Sequence, residues 1–179
     1  MKKTVLICGI AAGLISTSMF IGMIILGKGT HDVMENGMIY GFSLMILAFS
    51  LIFVGTKITR DKHNGGVISF WKAFRVGLYI SLIASSIYVL VWIFDLYMFD
   101  MDFAERYAAQ SIEKLKSSGA SAETIAKETA SMESFKEMYK NPIFVILLTY
   151  VEILPIGILV TLISAFTLKR SKRPEPAIA

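Results

Sequence analysis

Four long uncharged stretches constrain this chain more than anything else in it. Residues 4–27 carry no charge over 24 positions, residues 36–56 none over 21, and residues 76–94 none over 19. Residues 141–168 form a fourth run of 28, interrupted by one acid, Glu152. A helix needs about 20 apolar residues to cross a hydrocarbon core of roughly 30 Å. Backbone groups in lipid must bond internally, so each run reads as a helix and isolated strands are excluded. The expected fold is all-α: an integral membrane protein, one membrane domain over residues 1–179. Its spans are expected at 4–27, 37–56, 74–98 and 142–168, followed by a basic tail at 169–179. The 18% of charged residues falls below the ordinary quarter of a soluble domain.

The first run does not read as a cleaved signal. Lys2 and Lys3 give it a basic start, but it is too long and no small-x-small site follows. VLIC, ending at Cys8, has Ile7 where a lipoprotein box needs a small residue, so Cys8 reads as a packing residue. A single cysteine allows no internal disulfide.

Lys and Arg favour the cytoplasmic side of a membrane. Basic clusters fall at Lys2 and Lys3, at Lys57, Arg60, Lys62, Lys72 and Arg75, and at Lys169, Arg170, Lys172 and Arg173. The first loop has Lys28 against Asp32 and Glu35, and the long third loop, residues 95–141, holds nine acids and six bases. All the basic clusters share one side if both termini are cytoplasmic, which four crossings also require. The net charge of +4 and the pI near 9.1 come from these flanks. They are therefore no sign of nucleic-acid binding.

The third helix is entered through VISFWKAFRVG, residues 67–77. Phe70, Trp71 and Phe74 suit an interfacial aromatic belt, and Lys72 and Arg75 can reach headgroups. Ser69 is the expected N-cap after an HNGG turn. His63, in that turn, has no second ligand nearby and reads as solvated. The segment 100–140 reads as an outer helical hairpin. Phe103, Tyr107, Ile112 and Leu115 recur at helical spacing, as do Ile125, Met132, Phe135 and Tyr139. SSGAS breaks between them, with Ser121 as a cap, and Asn141–Pro142 opens the fourth span. The two apolar stripes need a surface: membrane, bundle mouth or a membrane or periplasmic protein partner.

GGVISFWKAFRVGLYIS and MYKNPIFVILLTYVEILPIGILVTLISAF, with the four-crossing layout, resemble the domain of unknown function 4199 family. The most specific pieces are F-x-K-A-F, at Phe70 to Phe74, and N-P…E-I-L-P-I-G, from Asn141 to Gly157. The resemblance implies a small bacterial inner-membrane protein without an established activity, and it brings no catalytic residues.

Glu152 lies ten residues into its helix, about 15 Å deep and near the midplane. An ionised acid there costs on the order of 3 kcal/mol or more, so it is expected to face the bundle. No Lys or Arg lies within any run. A protonated Glu152 can instead donate to a carbonyl on the turn that Pro155 distorts, Val151 losing its helical donor there. Thr149 shares the turn. Ser16, Thr17 and Ser18, Ser43 or Ser50, and Ser85, Ser86 and Tyr88 fall at similar depth. The expectation is a polar layer led by Glu152 and Pro155, with Thr149, Ser16, Ser85 and Tyr88. Gly9 and Gly13 form a small-xxx-small pair, and Gly157, Thr161 and Ala165 continue one, marking packing faces.

Nine of the ten methionines fall at the midplane or beyond it, Met19 with Met23 and Met34 with Met38 among them. Thioethers select Cu(I), but no CxxC, HxxxH or dense methionine repeat accompanies them, so flexible packing is the favoured reading and no metal or cofactor is expected. No Ser–His–Asp set, HExxH helix or phosphate loop occurs. His31 and His63 are expected on opposite sides of the membrane. The favoured function is a non-enzymatic structural or partner-binding membrane module. The alternative is a small proton- or cation-linked transporter using Glu152.

Overall fold

The computed structural model describes residues 1–26 and 37–170. The chain runs through six helices: α1 (Lys2–Leu26), α2 (Gly37–His63), α3 (Phe70–Met98), α4 (Phe103–Ser117), α5 (Ala122–Tyr139) and α6 (Pro142–Leu168). α1, α2, α3 and α6 are long and apolar enough to cross a membrane. No strand occurs among the described residues. A single antiparallel bridge joins Ile68 and Arg170, with N–H···O distances of 3.0 and 2.9 Å. The first-loop charges Lys28, Asp32 and Glu35, with His31, Met34 and the tail charges Lys172 and Arg173, lie outside the described residues.

The helices begin where local chemistry starts them. Ser69 accepts from the Lys72 N–H at 3.4 Å, Ser121 from the Thr124 N–H at 3.2 Å, and Asn141 from the Ile143 N–H at 3.0 Å ahead of Pro142. The α2–α3 turn places Gly65 at φ 60° and Gly66 at φ 79°. Two consecutive left-handed residues favour glycine, which lacks the Cβ clash. α2 continues to His63, seven residues past the expected end of its span at 56. The charge count marks where lipid ends. It does not mark where helical hydrogen bonding ends, and Lys57, Arg60 and Lys62 are good helix formers.

The four long helices pack together, α3 lying against both α1 and α6. Glycines set the approach. A Cβ at Gly9 would stand 2.7 Å from Ile83 Cβ, and one at Gly13 would stand 2.7 Å from Ile87 Cβ. Gly77 of α3 lets Thr161 of α6 come equally near, with Cγ2 at 2.8 Å from where a Cβ would be. One apolar cluster joins Cys8 and Ala12 to Phe49, Ile52, Ile80 and Ile153. A second, nearer the other end, holds Phe20, Trp92, Leu96 and Val145, and α2 contributes nothing to it among the described residues. There α2 leaves Ile39, Tyr40, Phe42, Ile46 and Leu47 exposed.

α4 and α5 stack their aromatic stripes on each other. The Tyr107 and Phe135 rings lie 5.5 Å apart, and those of Phe103 and Tyr139 lie 5.8 Å apart. Phe103 also meets Trp92 of α3 edge-on at 5.0 Å. The stripes therefore find much of their apolar surface in one another, where the sequence left membrane, bundle mouth and partner open.

Candidate functional site

The interior of the bundle holds hydroxyls rather than charges. Ser16 and Thr17 are buried and donate to the Gly13 carbonyl at 2.9 and 2.8 Å. Thr149 is buried and donates to the Val145 carbonyl at 2.7 Å. Back-bonding to the preceding turn lets a hydroxyl enter an apolar core without a partner helix. Ser81, Ser85, Thr56, Thr161 and Ser164 are also buried, and their oxygens find no hydrogen-bond partner among the described residues. Ser86 and Tyr150 of α6 share one of the few interhelical hydrogen bonds, at 2.8 Å. Tyr88 is half-buried and packs edge-on against Phe20 at 5.6 Å.

Glu152 does not join this layer. Its side chain is exposed, as are those of Val151 and Pro155. Thr149, one turn back, is buried, so Glu152 stands at the margin of the packed face of α6. The ion pairs among the described residues are Arg60–Asp61, Arg106–Asp100, Lys136–Glu133 and Lys140–Glu137, and none includes it. It makes no side-chain hydrogen bond among them either, so the expected bond to the Pro155 turn is absent. α6 runs as an unbroken helix through Pro155. The expectation of a bundle-facing acid is therefore corrected. The inward positions of α6 are filled by Val145, Thr149, Ile153, Gly157 and Thr161, every fourth residue, and Glu152 is off that row.

The Glu152 charge does reach two phenols, those of Tyr88 and Tyr139. Burial, then Glu152, then the neighbouring tyrosines Tyr107, Tyr88 and Tyr97 push the Tyr139 phenol up to about 12. Tyr97 donates its own hydroxyl to the Tyr139 carbonyl at 3.1 Å. An acid at mid-depth is thus followed, towards the α4–α5 end, by a group of phenols.

A second polar site lies at that same end, one that the sequence hides because its acids fall among those of the long third loop. Asp95 belongs to the last turn of α3 and is buried, with Oδ2 unpartnered among the described residues. Asp100 is buried in the α3–α4 connection and takes an ion pair from Arg106 Nη2. Asp95 also closes the helix, its carbonyl accepting from Phe99 and Asp100 N–H at 2.9 and 3.1 Å. An acid at one helix end, followed by a base about one turn into the next helix, is the signal that was there to be read.

At the opposite end the expected interfacial residues divide. Trp71 is 68% exposed. Phe70 and Phe74 are half-buried, because Phe70 packs on Phe166 at 4.7 Å and both lie against the cluster of Ile68, Ala73 and Ala165. Lys72 is half-buried and donates to Asn64 Oδ1 at 2.5 Å, while Arg75 is exposed. His63 is not merely solvated, since its Nε2 lies 3.2 Å from the Thr4 hydroxyl and ties α2 to the start of α1. No cluster of three metal-ligating His, Cys, Asp or Glu side chains occurs among the described residues. Met45 is buried and Met19 packs in the second cluster.

No curated protein and no solved structure matches this chain. A family model described as "Protein of unknown function (DUF4199)" matches residues 7–170, nearly the whole chain. Its four apolar helices are those of a membrane protein, and the chain belongs to the DUF4199 family.

Proposed function

We propose that this chain is a non-enzymatic, multi-pass protein of the bacterial inner membrane that works by binding another membrane protein through α6. Both termini are cytoplasmic in this reading, and α4 and α5 form a hairpin on the outer face. The basic residues support that orientation. Lys2, Lys72, Arg75, Lys169 and Arg170 gather at the end where Thr4 meets His63 and Ile68 meets Arg170, as the preference of Lys and Arg for the cytoplasm requires.

The observation that carries the reading is the exposed Glu152 on an exposed helix. Of the most apolar stretch of α6, 22% is buried within the chain, half the 44% of α1 and α3. Leu147, Val151 and Leu159 present apolar surface around the acid. A carboxylate facing hydrocarbon costs on the order of 3 kcal/mol. A partner helix that offers a donor or a cation there would remove that cost and bury the apolar surface with it. The second reading, proton or cation transport, is favoured by one observation: the phenols of Tyr88 and Tyr139 stand within electrostatic reach of Glu152.

Two measurements separate them. A photo-crosslinking residue at Val151, used in native membranes, should give a discrete heavier species that Glu152→Leu reduces several-fold, with a crosslinker on the exposed face of α5 unaffected. Proton flux into liposomes should not exceed that of empty vesicles. Flux that Glu152→Gln abolishes, in a variant that still folds, would overturn the binding reading in favour of transport.

A further inference from the structure

A groove of about 590 Å³ opens between the first turns of α1 and the first half of α3, at the basic end of the bundle. Three cations line its mouth: Lys2, Lys72 and Arg75. No acid lines it among the described residues. Deeper in, the walls turn apolar, with Leu6 of α1 and Val76, Leu82 and Ile83 of α3. The charge is therefore confined to one end of an otherwise greasy channel.

The dimensions match one lipid. From Lys72 to Ile83 is eleven residues, about 16 Å at 1.5 Å per residue. That is close to one leaflet, half of a hydrocarbon core of roughly 30 Å. Tyr79 also lines the groove and is 55% exposed. It stands one turn, about 6 Å, further in than Arg75, a depth at which its hydroxyl can meet an ester carbonyl below a headgroup. Asn64 holds the Lys72 ammonium at 2.5 Å and uses one of its three N–H donors. The other two remain for an anion. On its far side Lys72 borders a second groove with Lys169 and Arg170, which adds to the positive potential at this end.

We propose that this groove binds a single anionic phospholipid, its phosphate held by Lys2, Lys72 and Arg75 and one acyl chain laid along Leu6, Val76, Leu82 and Ile83. Charge complementarity and length together select this occupant. A free phosphate would use the mouth and leave the apolar channel unfilled. A partner helix would find its polar contacts at one end alone. A zwitterionic lipid would bring its own cation to a mouth that already holds three and offers no acid to receive it. This inference is independent of the role given to α6, because the groove lies between α1 and α3.

The test is native mass spectrometry of the full chain in mild detergent, titrated with phosphatidylglycerol, phosphatidylcholine or glycerol phosphate. One phosphatidylglycerol should bind per chain at least tenfold more tightly than phosphatidylcholine. Lys72→Gln with Arg75→Gln should lower phosphatidylglycerol affinity at least tenfold and leave phosphatidylcholine unchanged. Leu82→Trp, which fills the apolar channel and keeps every charge, should lower phosphatidylglycerol binding as well. If the double variant does not fold, Arg75→Gln and Leu82→Trp carry the test. Equal binding of the two lipids would overturn the proposal, as would a charge variant within twofold of wild type. Glycerol phosphate competing as well as the whole lipid, with Leu82→Trp silent, would make the mouth an anion site and overturn the lipid assignment.

Discussion

Gly157 of α6 lies against Ser81 of α3 with no room for a methyl group between them. A Cβ at Gly157 would overlap the Ser81 hydroxyl oxygen and stand 3.1 Å from both Ser81 Cβ and Phe49 Cζ. The Ser81 oxygen is itself buried without a hydrogen-bond partner among the described residues. Overpacking of a close-packed site costs about 1–3 kcal/mol. Gly157→Ala should lower the thermal midpoint in detergent, and Ser81→Ala in the same chain should recover part of the loss. Ser81→Ala alone should be neutral or stabilising, since it removes an unsatisfied polar atom. Additive losses in the double variant would show that the two residues do not touch.

The α1–α3 seam predicts a graded response to one kind of substitution. Gly9→Leu and Gly13→Leu must displace Ile83 and Ile87, whose Cβ atoms would already be 2.7 Å from an added Cβ. Gly22, on the same helix, has nothing within 4 Å of an added Cβ. Gly22→Leu should leave the melting temperature unchanged while either of the others lowers it by several degrees. A uniform response along α1 would contradict the seam.

Phe103 links α4 to the bundle through Trp92 and to α5 through Tyr139. Phe103→Ala removes both contacts, and large-to-small changes of a buried aromatic cost about 3–5 kcal/mol, less where the ring is half-buried as here. Hydrogen exchange should quicken in α4 and α5 and stay slow in α1 and α3. Protection unchanged throughout would mean that α4 and α5 are anchored elsewhere.

Arg106 faces the buried Asp100 at the α3–α4 corner. Breaking a buried ion pair by removing one partner costs up to about 3–5 kcal/mol. Arg106→Met should therefore destabilise the protein more than Lys140→Met, whose partner Glu137 is exposed. Surface pairs are worth little by comparison. Thermal melts of the two variants side by side check the order.

Much of this was legible in the sequence, for reasons that are local. Ser69, Ser121 and Asn141 announce helix starts because an N-cap needs nothing beyond its own turn. Gly65 and Gly66 announce the α2–α3 turn for the same reason. The glycines at 9, 13 and 157 mark packing faces because lipid offers no hydrophobic drive and close backbone approach must supply the contact. The direction in which Glu152 points is a tertiary property. Depth along α6 follows from counting residues, but its direction depends on where α2 and α3 lie, and α6 is apolar on every side. Asp95 and Asp100 look like loop acids in the sequence, because burial at a helix end depends on what packs over it, as Arg106 pairs with Asp100.

Four long apolar helices, the caps of α3, α5 and α6 and the basic end of the bundle can all be read along the chain, because hydropathy, capping and charge are local. Which side of each helix faces its neighbours is settled in the folded bundle. A helix uniformly apolar around its axis has no stripe to commit it, so the choice falls to the close approach of Gly9 to Ile83, Gly13 to Ile87 and Gly157 to Ser81. That choice turned Ser81 and Thr149 inward, left Glu152 exposed, and brought Lys2 beside Lys72 and Arg75 across seventy residues of chain.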